Sequence, residues 1–382
     1  MANENEATQI SPWEVEGVVD YSRLLEIFGV SPITSELQNR VAGACAPLRR
    51  GLYYGHRDFD KYLESAERGE KVSVVTGRGP SGKMHLGHMI PFFVAKWLQE
   101  KYNALVYIPI SDDEKFFVRK ELTLNDVEKY SIENMLDILA LGFDKDKTRI
   151  FRDLKTPILY KFAAIFARRI TFSTARAIFG FENSHNIGWI FYPAMQTVHI
   201  LLPQILHGPI PTIVPVGIDQ DPFIRLVRDL TPSNMIKPAG LHAKFLPAIS
   251  NPQGKMSSSD PDSAIWLDDP PNEVKRKVWK AFTGGKTPIS KQRELGGEPD
   301  KCVVFSWFCN YVLDDDKKLS AIREECLSGK RICGDCKKEM TDLIVELLKK
   351  HHDKKEEVKK NLDSYILTNE DIEKMSEGTK IE

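Results

Sequence analysis

The chain has 382 residues, 42% of them hydrophobic and 28% charged, and its formal net charge is −1 at pH 7. This composition is typical of a folded globular protein, and the length exceeds what one hydrophobic core usually organises, so we expect two domains. The near-zero charge excludes a broadly basic protein, so any nucleic-acid binding needs a local basic surface.

Residues 1 to 52 are predicted to form an N-terminal extension. It begins with a polar stretch, Met1 to Gln9, that is unlike a signal peptide. Helical patterns follow near Tyr21 to Phe28 and from Thr34 to Ala44. No apolar run in the sequence reaches the roughly 18 residues that a membrane span needs. We therefore expect a cytoplasmic protein without a membrane partner.

The segment that follows the extension has a pattern typical of the start of a parallel α/β sheet. Val72 to Val75 predicts a strand, Gly77, Gly79 and Gly82 form a glycine-rich turn, and a helical pattern begins near Met89. A strand, a glycine turn and a helix N-terminus together present backbone N–H groups to an anion, usually a phosphate. This unit is predicted to bind a nucleotide.

Two common nucleotide motifs fit this turn incompletely. The dinucleotide fingerprint requires an acidic residue that closes the next strand, but after Ala104 to Ile110 the first acid is Asp112, which is late. The phosphate-loop pattern fits as far as Gly82-Lys83, but Met84 stands where a magnesium-binding hydroxyl is needed. An unrelated phosphate-loop hydrolase therefore remains only an alternative.

Two further motifs are left unexplained by those patterns. His85-x-Gly87-His88 and Lys255-Met256-Ser257-Ser258-Ser259, about 170 residues apart, resemble the two ATP signatures of class I aminoacyl-tRNA synthetases. In that family the histidines and a mobile lysine–serine loop surround the triphosphate. Separately, helix-capping histidines and a polar turn beside Gly254 would account for them. Their order and setting favour the joint explanation.

The resemblance extends over most of the chain and is most specific to tryptophanyl-tRNA synthetases of the eukaryotic and archaeal type. The matching runs are Pro12-Trp13-Glu14-Val15, Arg49-Arg50-Gly51, His56-Arg57-Asp58, Thr76 to Ser81, Lys96-Trp97-Leu98-Gln99, Asp112-Asp113-Glu114-Lys115, Ile178-Phe179-Gly180-Phe181, Gly217 to Pro222 and Lys255 to Pro261. It implies ATP-dependent activation of L-tryptophan and transfer of the aminoacyl group to the terminal adenosine 2′-hydroxyl of tRNA(Trp), with release of AMP and pyrophosphate. It also implies a homodimer, no DNA partner, and Mg²⁺ held with ATP rather than at a dedicated protein site.

The resemblance also implies the domain plan. A Rossmann-type catalytic domain spans residues 53 to 267, with a helical connecting insertion at about 115 to 210, and an all-α anticodon-binding domain spans 268 to 382. Periodicity predicts insertion helices and later amphipathic helices. Their predicted ranges are Leu124 to Leu141, Ile158 to Thr174, Ala194 to Leu206, Asn272 to Ala281, Val303 to Tyr311, Lys317 to Leu327, and Gly334 to about Leu367. A further strand is predicted over Pro211 to Gly217.

The site residues are carried over from the family by position. His85 and His88 are expected to hold the phosphates and ribose, and Lys255 with Ser257 to clamp the leaving pyrophosphate. The ATP-binding set is Arg78, Gly79, Ser81, His85, Gly87, His88, Asp219, Lys255, Met256, Ser257 and Ser259. The amino-acid-binding set is Gly77, Gly79, Glu114, Gln196, Gln220, Val214, Val216 and Ile224, in which Glu114, Gln196 and Gln220 accept from the substrate ammonium.

The sequence departs from the family at the indole contact. Eukaryotic members hold the indole N–H with a tyrosine and a glutamine, where this chain has Val75 and Pro109. Neither side chain accepts a hydrogen bond, so the acceptor is expected among Ser111, Tyr107, His199 or a backbone carbonyl. This departure motivates one alternative, a non-catalytic tRNA-binding paralogue. A tyrosine-specific relative is a second alternative because tyrosine enzymes share the fold, but Val75 and Pro109 offer no polar group to a phenol and do not favour it.

The six cysteines predict no disulfide scaffold. They are scattered at Cys45, Cys302, Cys309, Cys326, Cys333 and Cys336. Cys333-x-x-Cys336 has the spacing of a redox or zinc half-site, but no second half at matching spacing is evident in the sequence. No protein metal site is therefore expected.

Overall fold

The structure is a computed structural model, and it describes residues 9–10, 15–16, 20–252, 256, 260–379 and 381. The strands are β1 Gln9–Ile10, β2 Val15–Glu16, β3 Ser31–Pro32, β4 Tyr53–Arg57, β5 Ser73–Val75, β6 Leu105–Ile110, β7 Thr148–Arg152, β8 Thr212–Gly217 and β9 Ala239–Ala243. Strands β1 and β2 pair with each other, and the other seven form one sheet.

The seven-stranded sheet has the order β3-β4-β9-β8-β5-β6-β7. The strands from β9 to β7 are parallel, and β4 pairs antiparallel with β9 and β3 at one edge. Because β5 pairs with β6 on one side and β8 on the other, the strand order reverses at β5, which opens a crevice at the carboxyl ends. The predicted Rossmann-type α/β fold is confirmed.

Helices cover both faces of the sheet. They are α1 Tyr21–Phe28, α2 Ser35–Arg40, α3 Ala46–Arg49, α4 Phe59–Glu67, α5 Ile90–Tyr102, α6 Asp112–Val118, α7 Leu124–Leu139, α8 Ile158–Ala167, α9 Phe172–Phe179, α10 Ile187–His207, α11 Asp221–Leu230, α12 Pro271–Lys280, α13 Ile289–Leu295, α14 Val303–Trp307, α15 Asp316–Leu327, α16 Cys333–Lys359 and α17 Asn369–Ser376. Val74 and Val75 point to opposite faces and belong to separate core clusters. Among the described residues, no helix has the length and apolar character to cross a bilayer.

Three predicted helices have different bounds in the structure. The range Ile158 to Thr174 is two helices, because Thr171 caps α9 by accepting from the Thr174 backbone N–H. The helix predicted over Val303 to Tyr311 continues beyond α14 as a π-helix, Phe308–Val312. The long helix α16 ends at Lys359, well before the predicted Leu367.

The insertion at about 115 to 210 is not wholly helical. Strand β7 lies inside it and pairs parallel with β6, so this segment also supplies an edge of the main sheet. Strand β7 was not predicted from the sequence, because Arg149 and Arg152 interrupt its apolar pattern. The insertion helices α8 and α10 pack on the same face of the sheet, with Leu159 and Val198 buried there.

The segment from 268 to 382 begins as a helical layer and then returns to the catalytic core. The backbone N–H of Leu367 donates to the Ile150 carbonyl at 2.9 Å, beside β7. Ile372 of α17 is buried in the same cluster as α8 and α10. At the other end, Arg49 and Arg50 of the predicted extension form ion pairs with Asp316 of α15. These contacts connect the helical layer to β7 on one side and to the predicted extension on the other.

Candidate active site

A cavity of about 290 Å³ lies where the strand order reverses. Its walls come from the turn after β5, the start of α5, and the segments that follow β8 and β9. The lining residues are Gly77, Arg78, His85, Gly87, His88, Ile90, Pro91, Gly217, Asp219, Ala243, Lys244, Phe245, Leu246 and Met256. In open α/β sheets, ligands bind at this position. The cavity is therefore the candidate nucleotide site.

The His85–His88 motif forms the turn that starts α5. A 3-10 turn over Leu86–Met89 precedes the helix, and the two imidazole rings stack with their centroids 3.4 Å apart. The backbone N–H of His85 donates to His88 Nδ1 at 3.1 Å. Neutral His88 therefore carries its proton on Nε2, which makes that atom a hydrogen-bond donor.

Both histidines are neutral at physiological pH. Burial lowers the pKa of His85 to about 3, and the positive charges of Arg78 and Lys277 act in the same direction. Burial, followed by the charge of Arg78, also lowers the pKa of His88 well below its usual value. These rings can therefore contact phosphate and ribose oxygens through N–H donation, without adding charge.

Arg78 supplies positive charge to the cavity lining beside the histidines. Arg78 is half-buried, and its Nε and Nη2 atoms are buried without a hydrogen-bond partner among the described residues. Burial lowers the pKa of Arg78 to about 10, so the group still carries its charge at neutral pH. A buried unpaired cation is costly unless an anion compensates it. The crevice is therefore prepared for a negatively charged ligand such as a phosphate.

The backbone of the first motif is fixed by hydrogen bonds to β6. The Arg78 N–H donates to the Pro109 carbonyl at 3.0 Å, and the Ser111 N–H donates to the Arg78 carbonyl at 3.0 Å. A Cβ on Gly77 would lie 2.3 Å from the Pro109 oxygen, which no larger residue tolerates. Glycine is thus needed at this position for the close approach of two chains.

Met256 is the one residue of the lysine–serine motif that lies among the described residues. Lys255, Ser257 and Ser259 lie outside the described residues. Met256 lines the cavity, and its N–H donates to the Leu246 carbonyl at 3.3 Å. A Cβ on Gly87 would lie 3.2 Å from Met256 Sδ, so the two ATP motifs meet across the cavity.

The remaining predicted ATP residues divide into two groups. Asp219 lines the cavity with the histidines, whereas Gly79 and Ser81 are not part of its lining. Ser81 instead donates its N–H to the Gly79 carbonyl at 3.0 Å within the turn. Lys244 follows β9 in the lining and is a cation that the sequence analysis missed, because it did not predict β9.

The predicted amino-acid residues lie around the turn after β5 and the end of β8. Glu114 is 3% exposed, and a Cβ on Gly79 would lie 2.9 Å from its Oε2 atom. Gln220 donates through Nε2 to Asp219 Oδ2 at 3.3 Å. Val214 and Ile224 are buried and Val216 is half-buried, and all three belong to the apolar cluster beneath α10.

A chain of buried polar groups runs from β6 into α10. Tyr192 Oη lies 2.9 Å from Ser111 Oγ and 2.7 Å from Gln196 Oε1. His199 Nδ1 lies 3.1 Å from the same Gln196 oxygen, and His199 Nε2 lies 2.7 Å from Asp153 Oδ1. This chain fixes the orientation of Gln196, whose predicted partner is the substrate ammonium.

Tyr192 is a second polar group of the site, besides Lys244, that was not predicted from the sequence. Val75 pairs with Tyr107 in the sheet, and Pro109 and Ser111 follow on the same face of β6 and beyond its end. The Tyr192 hydroxyl, bonded to Ser111, therefore lies over the face that lacks the usual indole acceptors. Tyr107 is engaged elsewhere, since its Oη lies 2.6 Å from His207 Nε2. The spacing of Tyr192 and Gln196, four residues apart on one helix, was the available signal.

Carboxylates close the far end of this polar chain. Burial raises the pKa of Asp153 well above its usual value, and the pKa of Asp113 is raised by burial and by the nearby Asp153. Burial lowers the pKa of His199 to about 4. Tyr160 donates its hydroxyl hydrogen to Asp113 Oδ2 at 2.9 Å. The network thus places an uncharged histidine against buried carboxyl groups whose pKa values burial raises.

Comparisons with known proteins agree with this geometry. A family model described as "tRNA synthetases class I (W and Y)" matches residues 67–349. The tryptophan–tRNA ligase of Thermococcus onnurineus is 45% identical over 369 residues, which is 95% of each chain. A tryptophanyl-tRNA synthetase structure from Giardia lamblia is 34% identical with a TM-score of 0.84, covering 92% of this chain and 96% of that one. One from Encephalitozoon cuniculi, bound to tryptophan, is 30% identical with a TM-score of 0.83, covering 91% and 98%.

Proposed function

The chain belongs to the class I tRNA synthetases of the tryptophan and tyrosine group, and from this we propose that its reaction is the attachment of tryptophan to tRNA. It activates L-tryptophan with ATP to tryptophanyl-adenylate and releases pyrophosphate. It then transfers the aminoacyl group to the 2′-hydroxyl of the terminal adenosine of tRNA(Trp) and releases AMP. The observation that carries this proposal is the Arg78 guanidinium, whose buried Nε and Nη2 atoms have no partner among the described residues, beside two neutral histidines in the crevice.

The first step needs positioning and charge compensation more than a protein nucleophile. The tryptophan carboxylate attacks the α-phosphate, and negative charge develops on the phosphoryl oxygens and on the leaving pyrophosphate. Arg78 supplies fixed positive charge, and the Nε2–H of His88 supplies a preorganised donor. We propose that Lys255 and Ser257 hold the pyrophosphate as it leaves. Such groups lower the barrier because they are already oriented before the reaction begins.

Tryptophan is favoured over tyrosine by the pocket chemistry. Val75 and Pro109 offer no polar side chain to a phenol, and the apolar wall is formed by Val214 and Ile224. The Tyr192 hydroxyl is a polar group on this face that can accept one N–H while donating to Gln196. We propose that it accepts the indole N–H. This assignment accounts for the two substitutions without a loss of specificity.

Magnesium is proposed to enter with ATP. Asp219 is the one carboxylate in the cavity lining of the described residues. Mg²⁺ prefers octahedral oxygen coordination and usually keeps several waters besides one or two carboxylates and phosphate oxygens. One carboxylate therefore suits an ion that is held mainly by the triphosphate. When bound, the ion neutralises charge on the leaving pyrophosphate.

We also propose a cytoplasmic homodimer that reads the anticodon with its helical layer. Exposed apolar side chains on the insertion support the dimer, because Ile187 is 85% exposed and Phe172 is 44% exposed. Both lie at or near the starts of insertion helices, α10 and α9. A scattering mass of two chains would support this arrangement, and a mass of one chain would contradict it.

Charging of tRNA tests the function directly. Purified protein is incubated with ATP, labelled tryptophan and transcribed tRNA(Trp), and acid-precipitable label is counted. The matched control contains tyrosine and tRNA(Tyr). We expect charging in the first reaction alone. Charging of tRNA(Tyr) would establish the tyrosine-specific alternative, and binding of tRNA(Trp) without charging would establish the non-catalytic one.

A further inference from the structure

The chain that leaves the lysine–serine motif is joined to the first ATP motif by backbone hydrogen bonds. The Leu86 N–H donates to the Ile265 carbonyl at 3.0 Å, and the Leu267 N–H donates to the Met84 carbonyl at 3.0 Å. These bonds flank an antiparallel bridge between two segments that lie far apart in the sequence. A shift of one segment therefore displaces the other.

Trp266 is the residue of this bridge whose side chain contacts both motifs. It stands opposite His85, and the two rings meet edge to face with their centroids 5.5 Å apart. Its indole Nε1–H donates to the carbonyl of Pro261, just after the lysine–serine motif, at 3.2 Å. Among the described residues, Trp266 is not part of the cavity lining. Its influence on a ligand in the cavity is therefore indirect, through the residues that it holds.

Asp269 fixes the backbone of Trp266. Its Oδ2 atom accepts the Trp266 N–H at 2.9 Å and the Lys277 ammonium at 2.6 Å. The Lys277 side chain is 4% exposed and the Asp269 side chain is 12% exposed, so salt screens this ion pair weakly. Lys277 belongs to α12, the first helix of the helical layer. The helical layer therefore reaches His85 through Lys277, Asp269 and Trp266 in turn.

A second contact between α12 and this segment is weaker. Arg276 forms an ion pair with Asp262 at 2.6 Å, but the two side chains are 38% and 56% exposed. Exposed ion pairs contribute little to stability, whereas breaking a buried one leaves an uncompensated charge. The Lys277–Asp269 pair is therefore the contact that fixes the segment on α12.

We propose that Trp266 is a positioning residue for ATP and that Lys277 holds it from α12. This role rests on the proposed function, because the crevice beside His85 must be the ATP site. Without these contacts the arrangement that binds ATP is less populated, and the apparent dissociation constant rises by the inverse of the remaining fraction. The contacts include none of the residues proposed to bind tryptophan, so tryptophan binding should not change.

Equilibrium binding of ATP to Trp266→Phe tests the positioning role. The substitution keeps an aromatic ring beside His85 and removes the Nε1–H that bonds Pro261. Loss of one hydrogen bond should raise the dissociation constant for ATP, measured by dialysis of labelled nucleotide, by about 2- to 12-fold. The dissociation constant for tryptophan, measured in the same way, should not change. An unchanged constant for ATP, or an equal rise for both ligands, would overturn the assignment.

Two matched controls lie on α12. Trp279 is 49% exposed and Lys275 is also exposed, so Trp279→Phe and Lys275→Met should leave both dissociation constants at their wild-type values. If either control weakened ATP binding as much as Trp266→Phe does, any change near α12 would have the same effect, and the specific role of Trp266 would be refuted.

Substitutions at the buried ion pair test the link to α12. Lys277→Met should raise the dissociation constant for ATP at least as much as Trp266→Phe. Because that variant leaves the Asp269 carboxylate without its cation, it is paired with the double variant Asp269→Asn/Lys277→Met. The double variant has no unpaired buried charge at this site and keeps an oxygen for the Trp266 N–H, so it should fold and still bind ATP more weakly. Wild-type ATP binding by the double variant would show that α12 does not hold Trp266.

Binding of ATP measured without an amino acid separates this role from the proposed function. A wild type that binds ATP but shows no tryptophan-dependent pyrophosphate exchange would contradict the proposed function alone. A Trp266→Phe protein that binds ATP as the wild type does would contradict the positioning role alone. A wild type that binds no ATP would overturn both.

Discussion

Replacing Tyr192 with phenylalanine removes the proposed indole acceptor and leaves the ring in place. The hydroxyl is the atom that bonds Ser111 at 2.9 Å and Gln196 at 2.7 Å, on the face where Val75 and Pro109 offer no acceptor. Without it, the buried indole N–H of the substrate has no partner. An unpaired buried donor costs about 1–3 kcal/mol. The expected loss in kcat/KM for tryptophan is therefore about 5- to 150-fold.

The assay compares tryptophan with an analogue in which a ring sulfur replaces the indole N–H. Tryptophan-dependent pyrophosphate exchange is measured with both substrates for the wild type and for Tyr192→Phe. The analogue has no N–H to satisfy, so its kcat/KM should change little while that of tryptophan falls. The preference of the wild type for tryptophan over the analogue should therefore collapse in the variant.

A matched control separates recognition from folding. Tyr160→Phe removes another part-buried hydroxyl, one at the far end of the polar chain that bonds Asp113 and neither Ser111 nor Gln196, and it should keep the wild-type preference. An equal loss for both substrates in Tyr192→Phe would show a general packing defect. Collapse of the preference in Ser111→Ala, but not in Tyr192→Phe, would show that Ser111 is the acceptor and refute the reasoning.

Three further predictions concern charge and protonation. Arg78→Met should lower kcat/KM for ATP by about 10- to 150-fold, because hydrogen bonds to charged groups contribute about 1.5–3 kcal/mol. The melting temperature of the Arg78→Met protein without ATP should not fall below that of the wild type, since the substitution removes a charge whose buried nitrogens have no partner among the described residues. Because the pKa of His85 is lowered to about 3, the exchange rate should show no histidine titration between about pH 6 and 8, and an inflection traced to His85 would contradict the neutral ring. Asp221→Asn should lower the free energy of unfolding in urea by about 3–5 kcal/mol at pH 7, because Arg57 and His242 lose their buried partner. Burial acts to raise the pKa of Asp221, but Arg57 and His242 outweigh it and hold the pKa below its usual value. The ionised Asp221 carboxylate therefore stabilises the fold above about pH 4, and this stabilisation is lost as the pH falls further. The difference in free energy of unfolding between wild type and Asp221→Asn should accordingly become smaller in acid.

The nucleotide half of the site could be predicted because its signals are local. A strand, a glycine turn and a helix start occupy consecutive residues, so the position of His85 and His88 at the start of α5 follows from the sequence order. The cavity wall from β9 was missed, since Ala239–Ala243 is short and includes a buried histidine, His242, that pairs with Asp221 from α11. Such a partner is visible only after the chain folds.

Two other features depend on contacts between distant segments. In the sequence, Tyr192 is one of several aromatic residues on an apolar helix. Its proposed role depends on Ser111, which follows a strand some eighty positions earlier. Cys302 and Cys326 have no motif of their own, and only the packing of α14, α15 and α16 brings them beside Cys333. Local patterns predict elements, whereas the partners of buried polar groups require the tertiary structure.

Amino-acid-dependent exchange of labelled pyrophosphate into ATP, measured with each of the twenty amino acids, tests the central claim most directly. The reaction reports adenylate formation at the crevice formed by Arg78, His85 and His88, and it does not depend on a tRNA. We expect exchange with tryptophan alone. Exchange with tyrosine, or with no amino acid at all, would contradict the account.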